Sequence, residues 1–280
     1  SDALFARVKS VYDNCEKLGL QGDEKRLTEK IYRDFVRSGA LLSAEDKASL
    51  QQINERLSAL SVQFGQNLLA ETNAFTLETT LEELDGVPTS VRDAAKEQAE
   101  SMGKRDKFVF TLQKPSMIPL LTYARDRSLR EQIYKAYLAR GNNGNEYDNN
   151  QIVAQMASLR YEKARLLGYE TYADYVLEER MAESSKTVND FLAELRDATV
   201  EYAKKDYSTI NEYAKSTGFK GEVMPWDWAY YTEKYKNEKY ALNDEQVKPY
   251  LKLDNVIKGV FMVAEKLYGL SFVPNKDIQE

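Results

Sequence analysis

The sequence predicts a predominantly α-helical, multi-helix fold with one small β pair, and three observations carry that prediction. Apolar residues recur three and four apart over long stretches, the clearest being Leu50, Ile53, Leu57, Leu60, Phe64 and Leu68. Helix starts and stops punctuate the chain, with Ser43 and Thr187 as N-caps and Gly103, Gly168 and Gly269 as ends. Strand-type alternation is confined to two short runs, residues 75–80 and 107–112.

In chain order, Phe5, Val8, Val11, Tyr12 and Cys15 form an amphipathic stretch. The helix over 43–74 starts on Ser43, and Glu45 and Asp46 place negative charge in its first turn, where the helix dipole favours it. Its apolar stripe reads as a core seam. Between the two β runs, Pro88 opens a helix over 89–102 that Gly103 ends. After Pro115 and Pro119 helix resumes over 128–140 and 149–167, the latter closed by Gly168. Helices follow over 171–181 and from 187 to about 217, the second capped by Thr187 with Asp190 three residues on. Gly218, Gly221 and Pro225 break the pattern. The last helices are 227–240, a short one capped by Asn243, and 253–268 ended by Gly269. No repeat period and no low-complexity linker is present, so 1–280 is expected to be a single helical portion with an internal loop near 218–225.

Composition excludes several chemistries. The chain has no histidine, which removes the usual general base near neutral pH and the commonest metal ligand. It also removes the H-E-x-x-H helix motif and every Ser-His or Cys-His pair. Formal charge is −6 with Lys and Arg interleaved among Asp and Glu, so no basic stripe for nucleic acid is expected. No apolar run approaches the ~20 residues needed to span a bilayer. The first residues lack a basic and apolar leader pattern; a start at Ser1 without Met is expected to be either an artificially cut or a processed boundary. The lone Cys15 reads as a small, partly buried side chain rather than a nucleophile, with no imidazole to activate it.

Other clusters read as structural. The run from Gly141 through Asn145 lacks the spacing of a phosphate cradle or a calcium loop and is a turn rich in residues that tolerate left-handed backbone. Glu82-Glu83 and Glu178-Glu179 are expected on solvated faces. Tyrosine is the informative excess, 19 against 10 Phe, and it gathers late in the chain. Its apolar body and polar tip suit a groove lining or a docking face, as well as ordinary packing at helix surfaces.

The stretch beginning Pro225-Trp226-Asp227-Trp228-Ala229-Tyr230-Tyr231 and running to residue 272 resembles the segment before the catalytic half of the thimet oligopeptidase and peptidyl-dipeptidase family. Residues 29–75 and 159–192 are similar to that family's early and middle helices, in the same order. The wording at Arg33-Asp34-Phe35-Val36 and Trp226-Asp227-Trp228 looks closest to the peptidyl-dipeptidase branch. The resemblance implies a zinc metallopeptidase acting on short peptides. Family enzymes carry H-E-x-x-H on a later helix with a further Glu as third zinc ligand, and the Glu inside the motif takes a proton from the metal-bound water.

No position here matches those residues, so no catalytic or metal residue carries over. The expectation is a non-catalytic, inactive helical fragment of a peptidyl-dipeptidase, with zinc and its ligands outside this chain. Its helices would form one wall of the substrate channel. Trp226, Trp228, Tyr230, Tyr231 and Tyr235 are the candidates for that wall or for a domain junction. Expected partners are short peptides and the missing catalytic half, with self-association through an exposed apolar patch. Nucleic acid and membrane are not expected partners. The expected location is cytoplasmic, or periplasmic if a leader was removed. The alternative is an autonomous helical protein that binds extended peptides without cutting them; an H-E-x-x-H encoded downstream would decide for the enzyme.

Overall fold

The computed structural model describes residues 2–241 and 247–275. Among these are eleven α-helices and one two-stranded antiparallel sheet, so the fold is predominantly α with a small β pair. The chain divides into two compact units, Ser1–Ser208 and Thr209–Glu280. The short helix expected after Asn243 lies outside the described residues.

The first unit begins with α1 (Asp2–Asp13) and α2 (Gly22–Arg37). Aromatic stacking joins them: the Tyr12 and Tyr32 rings lie 3.9 Å apart and nearly parallel, and Phe5 sits 5.8 Å from Tyr32 and from Phe35. Cys15 is buried just beyond α1.

The 31-residue α3 (Ala44–Ala74) follows the stripe expected of it, with Leu50 and Leu60 buried. The Ser43 side chain accepts the Asp46 N–H at 3.1 Å, satisfying a donor that has no partner inside the helix. The partner of α3 is α7 (Asn150–Leu166), and polar contacts flank their packing. Arg56 donates to Gln155, and Lys163 to Asn54, each at 2.8 Å. Burial against this surface lowers the Lys163 pKa, because desolvation disfavours the ammonium.

A second core gathers around the sheet. β1 (Leu77–Thr79) pairs with β2 (Phe108–Phe110) in the register Leu77 to Phe110, Glu78 to Val109 and Thr79 to Phe108. α4 (Thr89–Ser101), α5 (Lys114–Tyr123) and α6 (Arg127–Leu138) close over it, burying Leu84, Phe110, Leu120, Ile133 and their neighbours. α5 corrects the sequence reading, which resumed helix only at 128. Pro115 sits in its first turn, where a missing N–H costs nothing, and Pro119 lies inside the helix. α6 likewise starts earlier than expected, because Asp126 caps it by accepting from Ser128 and Leu129.

α8 (Tyr172–Leu177) starts on Thr171, which accepts the Asp174 N–H at 3.1 Å. α9 (Ser185–Ser216) begins before Thr187, because the cap is Ser184: its hydroxyl accepts the Thr187 N–H at 3.1 Å. α9 ends in the second unit, which also holds α10 (Pro225–Tyr240) and α11 (Leu253–Tyr268). Gly269 closes α11 with φ of 66°, the left-handed conformation its position demands.

The paired glutamates lie exposed, as expected. Glu178 and Glu179 are tied to α2 through Arg37 and Arg33, the latter at 3.0 Å. Glu83 accepts from the Thr80 N–H at 2.7 Å and closes a turn of 3-10 helix over Glu82–Leu84. For Glu178 and Glu179 the partners are arginines distant in the chain, and for Glu83 a nearby threonine.

Candidate functional site

The five candidate aromatics all lie on α10, in the second unit. α10 opens at Pro225 rather than at residue 227, and Asp227 is completely buried in its first turn. The Asp227 carboxylate accepts the Met224 N–H at 3.1 Å, and its own N–H donates to the Met224 carbonyl at 2.8 Å. This double contact fixes the angle at which α10 leaves the 217–224 loop. The loop is also pinned from α9, because the Asn211 side chain accepts the Val223 N–H at 3.1 Å.

Below this corner sits a small core of Ile210, Ala214, Val223, Tyr230 and Tyr231, with Tyr213, Phe219 and Tyr235 packed at its edge. Tyr230 and Tyr231 are perpendicular at 5.1 Å, and Tyr231 lies 5.4 Å from Phe219. Tyr213 and Tyr235 meet edge to face at 5.4 Å. Adjacent tyrosines on one helix point about 100° apart, so both can be buried only where α9 and the loop wrap two sides of α10. Trp226 is half-buried and Trp228 is exposed.

Around this core runs a ring of charges. Lys234 lies 4.8 Å over the Tyr230 ring, and Lys239 donates to the Tyr235 hydroxyl at 2.7 Å. That hydrogen bond holds the Lys239 pKa above its ordinary value. Glu233 receives Lys236 at 2.7 Å and the Asn237 amide at 3.1 Å. Tyr213 donates to Glu238 at 2.9 Å, and desolvation followed by that bond raises its pKa to about 12. A phenol so poised is neither a base nor a ready acid near neutral pH.

The described residues do not fit a zinc centre. There is no histidine, and among the described residues no group of three His, Cys, Asp or Glu is placed to hold a metal ion.

Two features of the first unit escaped the sequence reading. Glu71 is buried on α3 and holds the 141–145 turn; its local signal is a single acid directly after Leu68, Leu69 and Ala70. Arg37, on α2, bonds Tyr169, Glu178 and the Tyr175 carbonyl while lying 4.5 Å over the Tyr175 ring. Its partners are more than a hundred residues away, beyond any pattern of spacing.

Comparison with known proteins supplies the family. The Peptidase family M3 model matches residues 120–280. The chain is 34% identical over 282 residues to oligopeptidase A of Escherichia coli, covering 99% of this chain and 41% of that protein. Against dipeptidyl carboxypeptidase of the same organism it is 33% identical over 277 residues, 98% of this chain and 41% of that one. Saccharolysin of Saccharomyces cerevisiae is 31% identical over 291 residues, 98% and 38% respectively. The chain thus spans about two fifths of the length of these relatives. On the family match over more than half its length, this chain belongs to peptidase family M3.

Proposed function

We propose that this chain is the helical, non-catalytic portion of a zinc-dependent peptidyl-dipeptidase that releases C-terminal dipeptides from short peptides, and that it forms one wall of the substrate channel. The observation that carries the reading is a match to oligopeptidase A and dipeptidyl carboxypeptidase across nearly the whole chain, in a sequence without a histidine. Trp226, Trp228, Tyr230, Tyr231 and Tyr235 are assigned to that wall or to a domain junction. The exposed Trp228 is the member best placed to touch a ligand, while Tyr230 and Tyr231 support it from the core. A cytosolic setting goes with this reading, supported by an Arabidopsis thaliana relative named probable cytosolic oligopeptidase A.

The test is direct. Purified chain is incubated with zinc and a dipeptide-releasing substrate, and release of dipeptide is followed by mass spectrometry. No turnover is expected from the 280 residues alone; turnover would refute the assignment of catalysis to other residues.

A further inference from the structure

Asn143-Gly144 is the one Asn-Gly step in the chain, and every other asparagine precedes a residue that carries a side chain. The tertiary structure takes hold of both reacting groups of this step. The Asn143 amide donates to Glu71 Oε1 at 2.7 Å, the oxygen that also receives the Asn145 amide at 2.8 Å. The Gly144 N–H donates to Asp148 Oδ2 at 2.9 Å, with the glycine at φ of 63°. Asp148 is fixed in turn, because its other oxygen accepts the Asn150 N–H at 2.8 Å. Residues 142–146 are exposed, so water reaches the step.

An asparagine before glycine carries its own reaction. Glycine has no side chain to shield its nitrogen, so that nitrogen can approach and attack the asparagine side-chain carbonyl carbon. A C–N bond forms, the peptide proton passes to the departing amide nitrogen, and ammonia leaves behind a five-membered imide. Water opens the imide, adding hydroxyl to one carbonyl carbon and hydrogen to the ring nitrogen. Opening at the side-chain carbonyl gives aspartate. Opening at the main-chain carbonyl gives isoaspartate, with the backbone rerouted through the side chain. The net change is asparagine plus water to a carboxylic acid plus ammonia, with nothing oxidised or reduced.

We propose that Asn143 is a self-modification site: the folded turn slows its conversion to a carboxylate, and the converted turn cannot close again on Glu71. The slowing has a geometric cause. Before the two groups can react, the Gly144 nitrogen must leave Asp148 and the Asn143 amide must leave Glu71. The irreversibility is electrostatic. Conversion replaces a donor to Glu71 with a second carboxylate, and two carboxylates at that separation repel. Isoaspartate adds a backbone carbon and spoils the turn geometry as well. Either product pulls residue 143 off Glu71 and frees the Gly141 N–H that the same carboxylate holds. Local sequence supplies the reactive pair, while Glu71 on α3 and Asp148 ahead of α7 set its rate and its consequence. Nothing in this depends on the peptidase reading.

Ageing of the whole chain tests it. The protein is held at mildly alkaline pH beside a blocked synthetic peptide of residues 138–148, and peptide mapping by mass spectrometry follows each asparagine. Conversion is expected first at Asn143, at about a tenth of the peptide's rate, because two hydrogen bonds must open. Asp148→Ala is expected to bring the rate up toward that of the peptide. The converted form carries an extra negative charge and separates by anion exchange. In it the Gly141 N–H is expected to exchange with solvent about tenfold faster or more than in the unconverted form. A rate in the folded chain equal to the peptide's overturns the proposal, as does an Asn143 still intact after many peptide half-lives. So does an Asp148→Ala rate no faster than the parent's. Equal protection of Gly141 in the two separated forms would show that the turn closes again, and would overturn the irreversibility on aged parent protein alone, whatever the variant does.

Discussion

The carboxylate of Glu71, buried near the end of α3, accepts the backbone N–H of Gly141, seventy residues further along the chain. Its other oxygen accepts the side-chain amides of Asn143 and Asn145 at 2.7 and 2.8 Å. Gly141 has φ of 73°, and a Cβ there would lie 3.0 Å from the Asn149 amide, which itself donates to the Phe64 carbonyl at 3.2 Å. The turn is thus built around a charge on another helix.

Glu71→Gln should therefore destabilise the first unit by about 2–3 kcal/mol, since it replaces an acceptor with a donor facing three donors. Burial alone would raise the Glu71 pKa, but the three hydrogen bonds outweigh it and the net shift is downward. A lowered folded pKa means stability that is complete above the unfolded carboxylate value and is lost as pH falls through the folded one. Urea unfolding at neutral and acid pH should show the variant's deficit shrinking on acidification. A variant as stable as the parent at pH 7 would remove Glu71 from this role.

Arg37→Lys should cost about 1–2 kcal/mol, because an ammonium cannot reproduce a planar donor that bonds Tyr169, Glu178 and the Tyr175 carbonyl while stacked on a ring. Urea unfolding checks the loss, and hydrogen exchange should localise it to α2 and α8. An unchanged exchange pattern would contradict the link.

Tyr213 should ionise near pH 12, well above an ordinary phenol. With its folded pKa raised, its contribution is fully present below the unfolded value of about 10 and is lost as pH rises toward 12. Difference absorbance of tyrosinate between the parent and Tyr213→Phe reads this directly. An ordinary midpoint for the missing group would show that neither burial nor the Glu238 hydrogen bond disfavours the phenolate.

Gly86→Ala should destabilise by about 1–3 kcal/mol. Gly86 has φ of 85°, and a Cβ would meet the Tyr123 carbonyl oxygen at 2.6 Å. That atom is backbone at the end of α5 and cannot rotate away. The same junction carries the hydrogen bond from Arg125 N–H to the Asp85 carbonyl at 2.9 Å. A neutral thermal-unfolding result for this variant would mean the turn relaxes at no cost.

The sequence made α3 legible because one helix face met one seam, so its apolar spacing of three and four survived intact from Leu50 to Leu68. β2 does not bury a single face, since the adjacent Val109 and Phe110 are both buried, but the β pair was legible as two short β-type runs. α5 was not, because Pro115 and Pro119 read locally as breaks; the helix persists where packing of Met117 and Leu120 into the core outweighs a lost hydrogen bond. Tyr230 and Tyr231 were legible as candidates but not in their burial, since that depends on α9 and the loop wrapping α10.

By itself the sequence determined the helical class, the positions of most helix ends, the absence of imidazole chemistry and the family. Those properties are local or compositional: a cap, a period, a missing residue type, an ordered wording. Tertiary structure alone decided that Glu71 organises the 141–145 turn, that Arg37 binds α2 to α8, and that α11 buries none of its residues. Each of these depends on which distant segments meet, or fail to meet, and spacing along a chain carries no record of that.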